Sequence, residues 1–169
     1  MIKSIIIVFV ILLNTTYERE VLENNTINWN EISEQYKIER IERQISVLDI
    51  YNRSSRELVL AIKKASSVYN VPSELIVALI YNESSFRKYA VSHANCFGYM
   101  QINPVYWQVE MDKIFETEYN VMKGTKILKY YIDKYNTLES ALMAYNGYYR
   151  TNPFGRIVLN TKEKIQERS

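Results

Sequence analysis

The chain has 169 residues, of which 47% are hydrophobic and 24% are charged. This length and composition suffice for one compact core and argue against a second full domain. The 21 Lys and Arg residues stand against 19 Asp and Glu residues, a net charge of +2, so no strong field for binding nucleic acid is indicated. Cys96 is the only cysteine, which excludes an internal disulfide and a cysteine metal cluster. Nothing in the sequence indicates a metal, a nucleotide or another cofactor.

The N-terminus has the pattern of an export signal. Lys3 precedes the apolar run from Ile5 to Leu13, which is too short for a confident transmembrane span. The residues after it, Asn14 to Tyr17, are polar and bulky and do not form a small-residue cleavage site. Residues 1–16 are therefore predicted to be a signal peptide or an uncleaved N-terminal membrane anchor, with a buried strand or helix as the alternative. Either of the first two places the protein in the periplasm or cell envelope.

Residues 17–53 are polar and charged, and their apolar residues are spaced loosely as in an amphipathic helix. We interpret this segment as a spacer with one helix that packs on the following domain or tethers it. A helix that binds a partner protein is the alternative. The apolar positions are Ile32, Tyr36, Ile38, Ile41, Ile45 and Leu48.

Residues 54–169 are predicted to form one mainly helical domain. Ser54 or Ser55 can cap a helix that runs to about Tyr69, and Pro72 precedes the next helix, which carries Glu83. The long loop that follows leaves room for a small hairpin between residues 87 and 101. Further helices are predicted at about 106–115, 119–135, 137–145 and 156–167.

Glu83 continues the apolar stripe of its helix. Ile76, Leu79 and Ile80 lie three or four residues apart, and Glu83 falls on the same face. A carboxyl group against apolar walls loses hydration in its charged form, so its pKa should rise from about 4.3 toward neutrality. Such a group suits a proton donor, whereas a Glu that simply reaches water at the helix end is the structural alternative.

Short motifs around and after Glu83 occur in a fixed order. They resemble the catalytic core of the soluble lytic transglycosylases, relatives of goose-type lysozyme that cleave the glycan strands of bacterial peptidoglycan. The family pattern reads Glu-Ser-x-Phe, Ala-x-Ser, Gly-Leu-Met-Gln and, near the domain end, Ala-Tyr-Asn. The resemblance covers roughly Ser55 to Phe154. The matching runs are Glu83-Ser84-Ser85-Phe86, Ala90-Val91-Ser92, Gly98-Tyr99-Met100-Gln101, Ala144-Tyr145-Asn146 and, more loosely, Tyr119-Asn120-Val121 with Gly124 to Leu128.

The chain departs from the family pattern in three places. Tyr99 replaces the usual Leu and is expected to change the floor of the substrate groove without touching the proton chemistry. Asn95 stands where Gly is frequent, and Asn tolerates a left-handed backbone better than other residues. Gly147 and the two Tyr residues after it replace the usual Ala-Gly.

The resemblance implies a lysozyme-like α domain with a substrate groove, and it implies roles for six residues. Glu83 would be the catalytic acid and then the base. Ser92 and Gln101 would hydrogen-bond sugar acetamides or hydroxyls, and Met100 would line the groove. Tyr145 would place its hydroxyl near Glu83 and orient it, and Asn146 would bind sugar or brace the loop. Structural alternatives are core packing for Met100, a turn cap for Ser92 and a helix cap for Asn146.

The function implied by the resemblance is cleavage of the β-1,4 bond between N-acetylmuramic acid and N-acetylglucosamine, with a 1,6-anhydromuramic acid product. The partner would be the glycan strand, with envelope or secretion machinery and N-terminal membrane association as further expectations, and no nucleic acid. One alternative is a goose-type muramidase, whose second carboxylate would come from Glu110, Asp112 or Glu116. Another is a wall-binding or assembly protein that kept the fold and lost the activity.

Overall fold

A computed structural model describes residues 28–147 and 153–169 of the chain. The chain divides into two units, residues 1–35 and residues 36–169. In the first unit, the Asn28 side chain accepts a 3.2 Å hydrogen bond from the Glu31 backbone N–H and so caps the start of a helix. The segment 1–16, predicted to be a signal or anchor, lies outside the described residues.

Six α-helices make up nearly all of the regular structure in the described part of the chain, which confirms the predicted mainly α class. Apart from the helices, only isolated bridges occur there, between Val91 and Phe97 and between Phe97 and Ile102. The helices are α1 (Trp29–Ser46), α2 (Arg56–Tyr69), α3 (Ser73–Ser84), α4 (Thr117–Lys134), α5 (Leu138–Tyr145) and α6 (Phe154–Arg168).

Helix α3 is the centre of the core. Every residue from Leu75 to Ile80 is buried, with exposed fractions of 0 or 1%. Helices α2 and α6 pack against α3, while α4 packs against α2 and α5. The helix is therefore apolar on all sides rather than along one stripe, as a helix enclosed by others must be. Glu83 lies in the last turn of this buried helix.

The second half of α1 belongs to the same core as the helices that follow. Ile38, Ile41, Ile45 and Leu48 are buried, whereas Ile32 and Tyr36 are exposed. At the start of α3, Glu74 is 8% exposed and accepts 3.4 Å hydrogen bonds from Arg40 on α1 and Gln166 on α6. The three helices are thus joined at one buried carboxylate. None of the described helices is long and apolar enough to cross a membrane.

The helix predicted at 106–115 does not form, and turns occupy this segment. Side chains take the place of helical backbone acceptors there. The Asn103 side chain accepts a 2.9 Å hydrogen bond from the Val105 N–H, and the Tyr119 hydroxyl accepts a 2.7 Å bond from the Glu110 N–H. Because these donors are satisfied locally, the chain has little to gain from an α-helical turn.

Candidate active site

The chain turns sharply just after Glu83. Ser85, the residue that caps α3, and Phe86 both have left-handed backbones, with φ of 49° and 59°. Two successive left-handed residues without glycine are strained, and the fully buried Phe86 ring holds them in place. The Arg87 side chain donates a 2.9 Å hydrogen bond to the Ser84 carbonyl and satisfies the helix end. The turn begins the loop that contains Met100, whose carbonyl is bonded by Tyr145, a neighbour of Glu83.

Burial raises the pKa of Glu83 from 4.5 to about 8. The side chain is only partly exposed, and the loss of water around the carboxyl group disfavours its charged form. A hydrogen bond with the Asn146 side chain acts in the opposite direction and lowers the pKa. The carboxyl group is therefore protonated at neutral pH and can donate a proton, as the sequence pattern predicted.

Tyr145, at the end of α5, lies beside Glu83. Its hydroxyl donates a 2.7 Å hydrogen bond to the backbone carbonyl of Met100. Burial, followed by the proximity of Glu83, raises the pKa of this hydroxyl well above its usual value. Tyr145 therefore stays neutral, and its one hydrogen fixes the loop around Met100 rather than the Glu83 carboxyl group.

Gln101 closes the loop that follows the turn. Its backbone is left-handed, with φ of 48°, and its side-chain nitrogen donates to the carbonyls of Ala90 at 3.2 Å and Gly98 at 3.0 Å. Both amide hydrogens are thereby used within the protein. The side-chain carbonyl oxygen is not used by these two bonds and can accept a hydrogen bond from another donor.

Ser92 and Asn95 shape the tip of this loop. The Ser92 hydroxyl oxygen accepts a 3.1 Å hydrogen bond from the Cys96 N–H, so this residue does cap a turn. Its hydroxyl hydrogen is not used by that bond and can still be donated. Asn95 has a left-handed backbone with φ of 55°, which confirms the expectation for the position where the family often has Gly.

Met100 is not a surface residue. Its side chain has an exposed fraction of 0% and packs so closely on α4 that a Cβ at Gly124 would lie 2.5 Å from the Met100 Cβ. The expectation that Met100 lines the groove therefore needs correction, because no part of its side chain reaches solvent. The contact of Met100 with the site is made by its backbone carbonyl, which accepts the hydrogen bond from the Tyr145 hydroxyl.

Tyr99 also departs from its expected place. The side chain is 2% exposed, and its hydroxyl hydrogen-bonds the side chain of Ser55, the residue that caps α2. Burial is the largest influence on this hydroxyl and raises its pKa. Tyr99 thus anchors the loop to the start of α2 instead of forming the floor of a groove.

Asn120 is a site residue to which sequence reasoning gave no role. Its side chain is fully buried, accepts a 2.9 Å hydrogen bond from the Met100 N–H, and donates to the carbonyls of Phe97 at 3.0 Å and Ile114 at 2.8 Å. A Cβ at Gly98 would collide with the Asn120 amide nitrogen. The loop motif needs glycine because the Asn120 side chain occupies that space, and the Tyr119-Asn120-Val121 match in the sequence was the available signal.

Glu83 has no carboxylate beside it in the described part of the chain. Burial and Asn146 are the influences on its pKa, and no acidic neighbour is among them. The three acids considered for a muramidase, Glu110, Asp112 and Glu116, are all exposed, and Glu110 is ion-paired with Lys113. Residues 148–152 contain no acid in the sequence. In the described residues no group of His, Cys, Asp and Glu could hold a metal ion.

These features define a helical domain with one buried, protonated carboxyl group at the end of its central helix. The family model described as the transglycosylase SLT domain matches residues 60–155. This match spans more than half of the chain, and the chain belongs to that family. Membership agrees with the motif resemblance, and the six helices of the described residues agree with the predicted mainly α class.

Similar proteins carry the name membrane-bound lytic murein transglycosylase C. The protein of that name from Sodalis glossinidius is 31% identical over 106 residues, which cover 51% of this chain and 30% of the relative. The one from Histophilus somni is 44% identical over 52 residues, or 31% of this chain and 14% of the relative. The chain thus spans less than a third of the length of these relatives.

A solved structure is also similar. It is that of an inactive mutant of the lytic transglycosylase Slt from Pseudomonas aeruginosa, with a TM-score of 0.49 and 18% sequence identity. The match covers 63% of this chain and 21% of that chain.

Proposed function

We propose that this protein is a peptidoglycan lytic transglycosylase, which cleaves the β-1,4 bond between N-acetylmuramic acid and N-acetylglucosamine and leaves a 1,6-anhydromuramic acid end. The observation that carries the proposal is the state of Glu83, a single buried carboxyl group with a pKa of about 8 and no acidic neighbour. Family membership and the names of the relatives support the same conclusion.

In the first step, the Glu83 carboxyl group donates its proton to the glycosidic oxygen. The bond between this oxygen and C1 of muramic acid breaks, and the N-acetylglucosamine part leaves with a new hydroxyl group. The N-acetyl group of muramic acid stabilises the positive charge that develops at C1. This assistance from the substrate makes a second protein carboxylate unnecessary, unlike in most glycosidases.

In the second step, the Glu83 carboxylate removes the proton from the C6 hydroxyl of the same sugar. The C6 oxygen attacks C1, closes the 1,6-anhydro ring, and returns Glu83 to its protonated form. One residue serves as acid and then as base, and no water is consumed. The hydrogen bond from Asn146, which favours the charged form, stabilises Glu83 between the two steps.

The neighbouring residues hold the substrate and the loop. Gln101 and Ser92 each keep one free hydrogen-bonding atom, an acceptor and a donor respectively, to meet the polar groups of a sugar. Tyr145 and Asn120 fix the Met100 backbone from opposite sides, through its carbonyl and its N–H. Pre-organisation of this kind reduces the motion that substrate binding must suppress.

A hydrolytic muramidase is the second candidate, and the isolation of Glu83 argues against it. Hydrolysis by this route needs a carboxylate that activates water on the far side of the sugar, about 6.5 to 9.5 Å from the acid. The described residues place no such group in electrostatic contact with Glu83. An inactive wall-binding protein is the third candidate, and it would not require a carboxyl group kept protonated by burial.

The cellular setting follows from the same proposal. An enzyme that acts on peptidoglycan works in the cell envelope, and the relatives are named as membrane-bound proteins. The sequence pattern of residues 1–16, which predicts an export signal or anchor, fits that location. Local opening of the wall for an envelope-spanning or secretion apparatus stays a prediction from the sequence.

Product analysis tests the proposed reaction. The full-length protein is incubated with purified peptidoglycan in water enriched in oxygen-18, and the soluble fragments are identified by mass spectrometry. We expect fragments lighter by one water than hydrolysis products and free of the isotope, since the C6 oxygen comes from the sugar itself. Reducing ends that carry oxygen-18 would show a muramidase, and a folded protein that releases no fragments would overturn both catalytic candidates.

A further inference from the structure

The segment between α1 and α2 contacts the sharp turn that follows Glu83. The guanidinium group of Arg53 donates a 3.5 Å hydrogen bond to the backbone carbonyl of Ser85. Ser85 is the first of the two left-handed residues after α3 and lies two positions after Glu83. Carbonyl groups at the end of a helix lack helical partners, and a cation suits them. Arg53 provides this donor from a segment 32 positions away along the chain.

Arg53 is held in place at both its backbone and its guanidinium group. The Asp49 carboxylate accepts hydrogen bonds from the backbone N–H groups of Arg53, at 2.9 Å, and of Ser54, at 2.6 Å. The guanidinium carbon lies 4.4 Å from the centre of the Tyr51 ring, which is a cation–π contact. Because both ends are fixed, this exposed side chain loses little further freedom when it contacts the turn.

The same segment also contacts the loop that contains Gln101. The buried Tyr99, two positions before Gln101, hydrogen-bonds the side chain of Ser55 through its hydroxyl group. The Ser55 oxygen in addition accepts a 3.2 Å hydrogen bond from the Leu58 N–H and so caps α2. Residues 49–55 therefore connect the start of α2 with the turn after the catalytic helix and with the loop beyond that turn.

We propose that residues 49–55 position the catalytic turn, with Arg53 as the positioning residue that holds Glu83 in its reactive orientation through the Ser85 carbonyl. This role rests on the proposed function, which makes Glu83 the reacting group. It places a determinant of the reaction before residue 60, where the family match begins. Loss of the Arg53 contact frees the Ser85 carbonyl and lets the strained turn relax. The consequence is slower turnover by a protein that stays folded and binds its substrate as before.

Steady-state kinetics on soluble peptidoglycan fragments compare the full-length parent with Arg53→Gln and with the control Arg56→Gln. The control removes the same charge three positions further along, from an exposed side chain that pairs with Glu42. We expect Arg53→Gln to lower kcat about five-fold with KM unchanged, as one exposed charged contact allows. Arg53→Lys keeps the charge and one donor group and should recover part of the loss. Equal kcat values for Arg53→Gln and the control would overturn the inference.

The environment of Glu83 is measured separately from cleavage. In protein labelled with carbon-13 at the Glu carboxyl groups, the Glu83 resonance is the one that Glu83→Gln removes, and its titration gives the midpoint. Burial sets this midpoint at about 8 in the parent. We expect a lower midpoint in Arg53→Gln, because a looser turn admits water to the carboxyl group, and the parental midpoint in Arg56→Gln.

An Arg53→Gln variant that loses thermal stability but keeps the parental kcat and the parental Glu83 midpoint would show a purely structural role and overturn the inference. If the parent releases no fragments from peptidoglycan, the proposed function fails. The Glu83 midpoint alone then decides whether Arg53 positions this residue.

Discussion

The hydroxyl group of Tyr145 donates a 2.7 Å hydrogen bond to the backbone carbonyl of Met100, which joins the end of α5 to the loop that follows Glu83. The Met100 N–H on the other side of the same residue bonds Asn120 at 2.9 Å. Two side chains from different helices therefore fix one buried residue of the loop. The position of Gln101, the next residue, depends on both of them.

The Tyr145→Phe variant removes the first of these bonds and keeps the ring. We expect the free energy of unfolding to fall by about 1 to 2 kcal/mol, because the Met100 carbonyl loses its donor. We also expect kcat/KM to fall about ten-fold, because the Gln101 segment loosens. Urea unfolding and peptidoglycan turnover measure the two effects, with Tyr36→Phe on the exposed face of α1 as the control. Unchanged activity would show that Tyr145 serves packing alone.

The Asn120→Ala variant tests the second bond. Loss of three hydrogen bonds to a fully buried side chain should lower the free energy of unfolding by about 2 to 4 kcal/mol. Chemical denaturation measures this value, and Asn160→Ala on the exposed side of α6 should stay within about 0.5 kcal/mol of the parent. A loss as small as that of the control would contradict the role assigned to Asn120.

The Glu83→Gln variant should gain stability over the parent as pH rises. Below about pH 4.5 the parental carboxyl group is protonated in both the folded and the unfolded chain. Between that pH and about pH 8 the unfolded chain ionises while the folded chain keeps its proton, so the parent progressively loses stability. Thermal unfolding at pH 4 and pH 8.5 should show a difference near zero at the lower pH and on the order of 4 to 5 kcal/mol at the higher one, as a pKa raised from 4.5 to about 8 requires. If Glu83→Gln gains the same stability at pH 4 and at pH 8.5, the Glu83 pKa is not raised.

The Asn146→Ala variant should raise the Glu83 pKa above about 8, because the hydrogen bond from Asn146 favours the charged form. The alkaline decline of kcat/KM reports the protonation of the catalytic acid in the free enzyme. We therefore expect this decline to move to higher pH than in the parent, while the rate on the plateau falls. An alkaline decline at the same pH in the variant and the parent would show that Asn146 acts only as a helix cap.

Sequence patterns were sufficient to predict the helices whose ends are determined by nearby residues. The Ser55 cap predicted the start of α2, and the apolar spacing around Ile76 predicted a helix that ends near Glu83. Apolar neighbours of a carboxyl group were also enough to predict the direction of its pKa change. For both helices the signal lies at the cap or within the helix itself.

Tertiary contacts explain the features that the sequence patterns did not predict. Residues 106–115 have helical spacing, but side chains from Asn103 and Tyr119 bind their backbone donors. Met100 belongs to a motif with a functional pattern, yet its place beneath Gly124 depends on α4. Tyr99 reaches Ser55 across the domain. The contacts of Met100 and Tyr99 have no signal in the nearby sequence, whereas Asn103 lies only two residues from Val105, whose N–H it binds.

The most direct test of the account is the cleavage of purified peptidoglycan by the full-length protein and by Glu83→Gln at equal concentration. The exposed Glu163→Gln change on α6 is the control for the loss of one negative charge. The account predicts that Glu83→Gln stays folded and releases fragments at least a hundred-fold more slowly, in line with the loss of a general acid and base, which is about 10² to 10⁴ in rate. Release within a few-fold of the parental and control rates would contradict the assignment of Glu83 as the catalytic residue.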